Sequence, residues 1–170
     1  MQTQTGSVGT ELKLNSKVAG GHDEFKGIWL EGGGSRRVGI VLLHGRNGHP
    51  DGAVVSGLRR SLNTLGYSTL SIQNPIPRKG DEFPFYVEDI KGEQYVFPEA
   101  YARIKTAIGA LHERGVKEVV LLGFSMGARM HSAFLAQDEA TQAPVRALIA
   151  ISNGVNGIPP LNAASSLGKV

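Results

Sequence analysis

Gly123-Phe124-Ser125-Met126-Gly127 follows directly on the apolar run Val119-Val120-Leu121-Leu122. G-x-S-x-G between a strand and a helix is a sharp turn that lifts the serine hydroxyl clear of a sheet and presents it as a nucleophile. A side chain at Gly123 or Gly127 would collide with so tight a turn. The chemistry that follows is acyl transfer through a covalent serine intermediate. The bare pattern is expected by chance in ~5% of chains of this length, so its weight comes from its place between a buried strand and a helix. The alternative is a serine-containing strand-to-helix turn, or an N-cap with no chemistry.

Leu42-Leu43-His44-Gly45-Arg46-Asn47-Gly48-His49-Pro50 ends a second buried strand. With the serine turn, it makes residues 11–158 resemble the α/β-hydrolase superfamily, and within it small bacterial hydrolases of the esterase and dienelactone-hydrolase sort. In that superfamily the strand-end His-Gly loop supplies one donor of the oxyanion hole. The resemblance therefore implies that the backbone N–H groups of Arg46 and Met126 hold the developing oxyanion. It implies that His44 orders the turn, with His44 and Gly45 bordering the substrate. It also implies hydrolysis of a small-molecule, ester-like substrate through an acyl-enzyme on Ser125, with no metal or organic cofactor. The Arg46 guanidinium either holds an acidic substrate group or is simply solvated.

A nucleophilic serine needs a base, and in this superfamily the order is Ser, then Asp or Glu, then His. Only 45 residues follow Ser125; the last acid is Glu139 and the last histidine is His131. His131 lies roughly 9 Å along the next helix and about 240° around it from Ser125, out of hydrogen-bond reach. The loop after the sixth strand reads Ser152-Asn153-Gly154-Val155-Asn156, without a carboxylate. His49, in the glycine-rich loop, is a candidate base of last resort, though ordering that loop is the plainer role. His22 and His112 read as solvated residues of a turn and a helix end. The acid and histidine are thus expected from sequence beyond this stretch or from another chain.

These residues need a scaffold, and the hydrophobic pattern supplies one. Two alternating stretches, Glu11–Leu14 and Phe25–Leu30, read as an antiparallel hairpin turning at Ala19-Gly20-Gly21. Val38–Leu43 reads as a strand buried on both faces. Val54, Val55, Leu58, Leu62 and Leu65 recur at helical spacing, and Gly66 closes that helix. Tyr67–Ile72 is the next strand. Pro98 opens a helix with Ile104, Ala107, Ile108 and Leu111 inward, ending near Gly115. Val116–Leu122, then a helix from Met126 to about Gln137, then Val145–Ile151 complete the alternation. The expectation is an α/β-hydrolase fold: a mostly parallel sheet of about six strands with an N-terminal antiparallel hairpin, lacking the last two strands. Residues 1–170 form one domain, with 1–10 disordered and 159–170 an irregular tail. The long loop 73–97 carries Asp81, Glu82, Glu88 and Asp89, read as a solvated face. Its aromatics Phe83, Phe85, Tyr86, Tyr95 and Phe97 either line an acyl pocket, with Phe85 and Tyr86 on the substrate, or pin the loop to the core.

Composition narrows the partners. A net charge of +3 with scattered Lys and Arg lacks the basic stripe of a nucleic-acid binder. The absence of cysteine removes disulfides and thiolate metal sites. No run approaches the ~20 apolar residues of a membrane span. The polar first residues read as those of a cytoplasmic protein, or a periplasmic one whose leader has been removed. No strand is followed by the G-x-G-x-x-G of a nucleotide-binding fold. Without a seventh strand, Leu148–Ile151 would be an open apolar edge, suited to a homo-oligomer or a complementing chain. A binding or assembly module built on an inactive hydrolase fold is therefore the alternative to an enzyme.

Overall fold

The computed structural model of the 170-residue chain describes residues 8–16, 24–34, 37–75, 96–137 and 145–152. In chain order the elements are β1 (Thr10–Asn15), β2 (Glu24–Leu30), β3 (Val38–Leu43), α1 (Ala53–Thr64), β4 (Ser68–Ile72), α2 (Val96–Glu113), β5 (Glu118–Phe124), α3 (Met126–Leu135) and β6 (Val145–Ile151). The strands form one six-stranded sheet in the order β1-β2-β4-β3-β5-β6. β1 and β2 pair antiparallel, and β2 joins β4 antiparallel. β4, β3, β5 and β6 run parallel. The mixed α/β sheet and its N-terminal hairpin match the architecture expected from the sequence. The turn expected at 19–21 lies outside the described residues.

Side chains alternate across the sheet, as the pleat requires. Val41, Leu43, Leu70, Ile72, Val119 and Leu121 pack on one face against α2 and α3. Ile40, Leu42 and Leu122 pack on the other against Val55, Leu58 and Leu62 of α1. Burial on both faces explains the unbroken apolar runs of β3 and β5.

The structure shifts several boundaries for physical reasons. α2 starts at Val96, so Pro98 sits inside its first turn, where a missing N–H costs nothing. β5 starts at Glu118 because the Val116 amide closes α2 by bonding Leu111 O at 3.1 Å, with Gly115 at φ 87°. α1 corrects the helical pattern: Leu65 is 72% exposed and Val54 46% exposed. Val55, Leu58 and Leu62 face the sheet as the pattern expects, and they share that side with the fully buried Arg59.

Register brings the functional segments together. Leu43 of β3 is level with Ile72 of β4 and with Gly123 of β5, and Phe124 is level with Ile151 of β6. The loops that follow these strands leave the sheet at one edge, outside the carboxyl ends, where ligands bind in open α/β sheets.

Candidate active site

Ser125 holds φ 52° and ψ −115°, a conformation that non-glycine residues rarely adopt. The turn is enforced by its neighbours. A Cβ on Gly123 would lie 2.4 Å from the Ala128 amide nitrogen, and one on Gly127 would lie 2.5 Å from Leu43 O. The Ser125 amide bonds Ile151 O at 2.8 Å, which ties the turn to β6. Ser125 stands at the N-cap of α3, yet its side chain makes no capping bond. This removes the N-cap form of the alternative and not the plain serine-containing turn.

The His44–Gly52 loop lies against this turn. A Cβ on Gly45 would sit 3.4 Å from Ser125 Cβ and 3.2 Å from the Phe124 ring. Two tight turns shape the loop: the Gly48 amide bonds Gly45 O at 3.2 Å, and the Gly52 amide bonds His49 O at 2.8 Å. Asn47, inside the first turn, is left-handed, at φ 57°. Arg46 and His49 are exposed at the loop surface.

His44 is buried, and both ring nitrogens are engaged within the protein. Nε2 accepts from the Asn74 amide at 3.0 Å, with the Gln73 side-chain amide at 3.1 Å. The network therefore assigns the proton to Nδ1, which donates to Gly45 O at 2.6 Å. Asn74 Nδ2 donates to His44 O at 2.6 Å. Burial holds the His44 pKa below the usual histidine range; the Gly45 bond opposes this, and the nearby His49 and Arg103 add to it. A ring so occupied stays neutral and has no lone pair left for the Ser125 proton.

The other histidines fall into distinct places. His49 Nδ1 accepts from the Asp51 amide at 3.3 Å, which leaves the proton of the neutral ring on Nε2. His131 is fully buried in α3, where desolvation takes its pKa down to about 3. Neither His131 nitrogen has a hydrogen-bond partner among the described residues. His112 is not simply solvated, as expected, but bonds Val116 O at 2.8 Å and helps close α2. His22, Phe85, Tyr86 and the acids at 81, 82, 88 and 89 lie outside the described residues. Phe97 is described: it packs against the core and stands 6.3 Å from the Tyr101 ring, so it pins the start of α2.

Two buried arginines behind the loop escaped the sequence pattern. Arg59 donates to Val8 O at 3.2 Å, to Pro50 O and Ser71 Oγ at 2.8 Å, and to the Asp51 carboxylate. It anchors the far end of the loop. Arg103 donates to Gln73 O at 2.9 Å, to Asn74 O at 3.1 Å and to the carboxylate of buried Glu99. Its guanidinium lies 4.9 Å over the Phe25 ring. Burial lowers its pKa, and Glu99 opposes that shift. The only sequence signals were the helical phase shared by Val55 and Arg59 and the i,i+4 spacing of Glu99 and Arg103.

Together these elements make the α/β-hydrolase fold, with a strained serine and a glycine loop at its carboxyl edge. A family model described as a protein of unknown function, DUF3530, matches residues 13–85. A comparison with curated proteins finds no match. Among solved structures, esterase 2 of Thermogutta terrifontis, phosphoramylated by tabun, is similar at 15% identity and a TM-score of 0.63, over 100% of this chain and 66% of its own. An α-β serine hydrolase homologue from Coxiella burnetii has 16% identity and a TM-score of 0.60, over 93% of this chain and 67% of its own. An esterase from Pyrococcus furiosus has 16% identity and a TM-score of 0.59, over 85% and 50%. The chain spans about half to two thirds of the length of these structures.

Proposed function

We propose that the chain is the nucleophile-bearing part of a serine hydrolase that cleaves ester-type bonds in a small-molecule substrate. The conformation of Ser125 carries the proposal: a strained, uncapped serine beside a glycine loop has no structural purpose that an unstrained residue would not serve better. Ser125 Oγ adds to the ester carbonyl carbon. The carbonyl oxygen takes the charge opposite the Arg46 and Met126 amides. The alkoxide then leaves, and water later releases the acid from the acyl-serine. Phe85 and Tyr86 are proposed for the acyl side of the substrate, with Gly45 at its edge. His44 enters this site through its hold on Gly45 O.

The proton of Ser125 must pass to a histidine, and no histidine among the described residues is arranged to take it. His49 would have to turn its ring to do so. The triad Asp and His are proposed to come from further sequence or from a complementing chain. An oxyanion hole and binding alone retain only about 10³–10⁴-fold over water, so this chain by itself would be a poor catalyst. The same proposal places it in the cytoplasm, or in the periplasm if a leader is removed. Among the described residues no helix is long and apolar enough to cross a membrane.

An inactive fold used for binding or assembly is the alternative, and one observation favours it. β6 is an edge of the described sheet, and Ile149 on it is 44% exposed. Prolonged incubation with p-nitrophenyl acetate, long enough for a serine without its histidine to acylate at the residual rate, separates the two. One acetyl group per chain, located on Ser125 and absent from Ser125→Ala, supports the acyl-enzyme. Folded protein that stays unacetylated contradicts it.

A further inference from the structure

We propose that Arg103 is a positioning residue that orients and polarises the Arg46 amide through a hydrogen-bonded relay of two peptide planes and one imidazole. The proposal rests on the assignment of Arg46 to the oxyanion hole, and it adds a group that the serine and glycine motifs do not contain.

The relay follows from which atoms share a peptide unit. Gln73 C=O and Asn74 N–H belong to one planar, trans unit, so they point in opposite directions. Arg103 holds the carbonyl end at 2.9 Å, and the amide end donates to His44 Nε2 at 3.0 Å. On the far side of the ring, Nδ1–H donates to Gly45 O at 2.6 Å. Gly45 C=O and Arg46 N–H again share one unit, so fixing the carbonyl aims the Arg46 amide the opposite way. The Gly48 amide adds a second bond to the same carbonyl, at 3.2 Å.

Every donor in this chain points the same way, from the guanidinium toward the Arg46 amide. Aligned hydrogen bonds polarise one another, and a cation at the carbonyl end of the first peptide draws electrons away from each N–H in turn. The cation is fixed at that end by the Glu99 carboxylate and by the Phe25 ring. Its burial keeps water from screening it. His44 must be neutral with the proton on Nδ1 for the relay to run, and its surroundings impose that form. The hydrogen bonds of Arg103 go to Gln73 O, Asn74 O and Glu99, so its hydrogen-bonded path to the loop runs through Gln73, Asn74 and His44.

The test uses the full chain and two readings. One is the rate at which a fluorophosphonate probe labels Ser125. The other is the ¹⁵N and ¹H signal of the His44 ring, which reports the tautomer and the Nδ1–H bond whether or not Ser125 reacts. Arg103→Met would strand the buried Glu99 charge, so the informative variant is Glu99→Gln/Arg103→Met, with Arg103→Lys as the conservative rescue. Ile104→Ala, in the same helix but facing the core, controls for lost stability. The relay predicts loss or rapid exchange of the His44 Nδ1–H signal in the double variant. It predicts a fall of about tenfold in labelling rate, less than the 10²–10³ of losing an oxyanion donor outright. It also predicts partial recovery in Arg103→Lys and no change of either reading in Ile104→Ala. A double variant that keeps the ring signal and the wild-type rate overturns the relay and leaves the hydrolase proposal standing. Wild-type protein inert to the probe, whose His44 signal still depends on Arg103, contradicts the hydrolase proposal and supports the relay as a structural link.

Discussion

Ser125 and His131 are both residues whose positions cost stability, for different reasons. The elbow stores backbone strain and tolerates no side chain at its glycines. Gly123→Ala would force the new methyl into the Ala128 amide, and overpacking of this kind costs about 1–3 kcal/mol, sometimes more. A loss of at least that size is expected in urea melts, together with loss of Ser125 reactivity. His131 is buried neutral, with its pKa depressed from the usual 6.5 to about 3. Above pH 6.5 both folded and unfolded states hold a neutral ring, so pH has no effect through this group. As pH falls below 6.5 the unfolded state takes up a proton that the folded state refuses, and stability drops until the folded ring protonates near pH 3. At 1.36 kcal/mol per unit this amounts to about 3 kcal/mol between pH 7 and pH 4. His131→Leu should be at least as stable at pH 7, because it removes two buried nitrogens without partners. Its unfolding free energy should fall less steeply with acid by about that amount; parallel pH profiles for the two proteins would refute this.

At the scale of elements, the loop His44–Gly52 depends on buried arginines at its two ends. Arg59→Met should release Pro50 O and Asp51 and leave Val8 O without its partner. Charged hydrogen bonds of this sort contribute about 1.5–3 kcal/mol each, so destabilisation of about 3 kcal/mol is expected. Amide exchange should quicken from Gly48 to Gly52 while β3 and β5 stay protected; unchanged exchange in the loop would contradict the anchoring role. The strands and helices around this loop were legible in the sequence because their apolar residues repeat with a clear period. Val38–Leu43 and Val145–Ile151 appear where the pattern put them. Ser125 was legible because its turn needs two glycines at fixed spacing. Arg59 and Arg103 were not legible. A charged residue in helical phase with buried ones ordinarily snorkels to solvent, and only the fold shows that backbone carbonyls wait for these two. Gly66 and Gly115 close α1 and α2 where the pattern puts them, at φ 89° and 87°; what differs is that Leu65, though apolar, sits past the last turn of α1, and that β5 starts at Glu118 because Val116 spends its amide on closing α2.

Over the whole molecule, the sheet is well covered around β3 and β4 and more open at its two edges, β1 and β6; on β6, Ile149 and Ala150 are exposed. If this edge seats a second copy or a complementing chain, sedimentation should show association that Ile149→Lys abolishes, since a charge on an edge strand opposes pairing. A strictly monomeric wild-type chain would remove the homo-oligomer from the proposal. That the fold presents Ser125 as a nucleophile is checked by prolonged reaction with a fluorophosphonate probe, read by intact and peptide-level mass spectrometry. One adduct per chain is expected, located on Ser125 and absent from Ser125→Ala. Folded protein that stays unmodified, or an adduct that persists in Ser125→Ala, would contradict it.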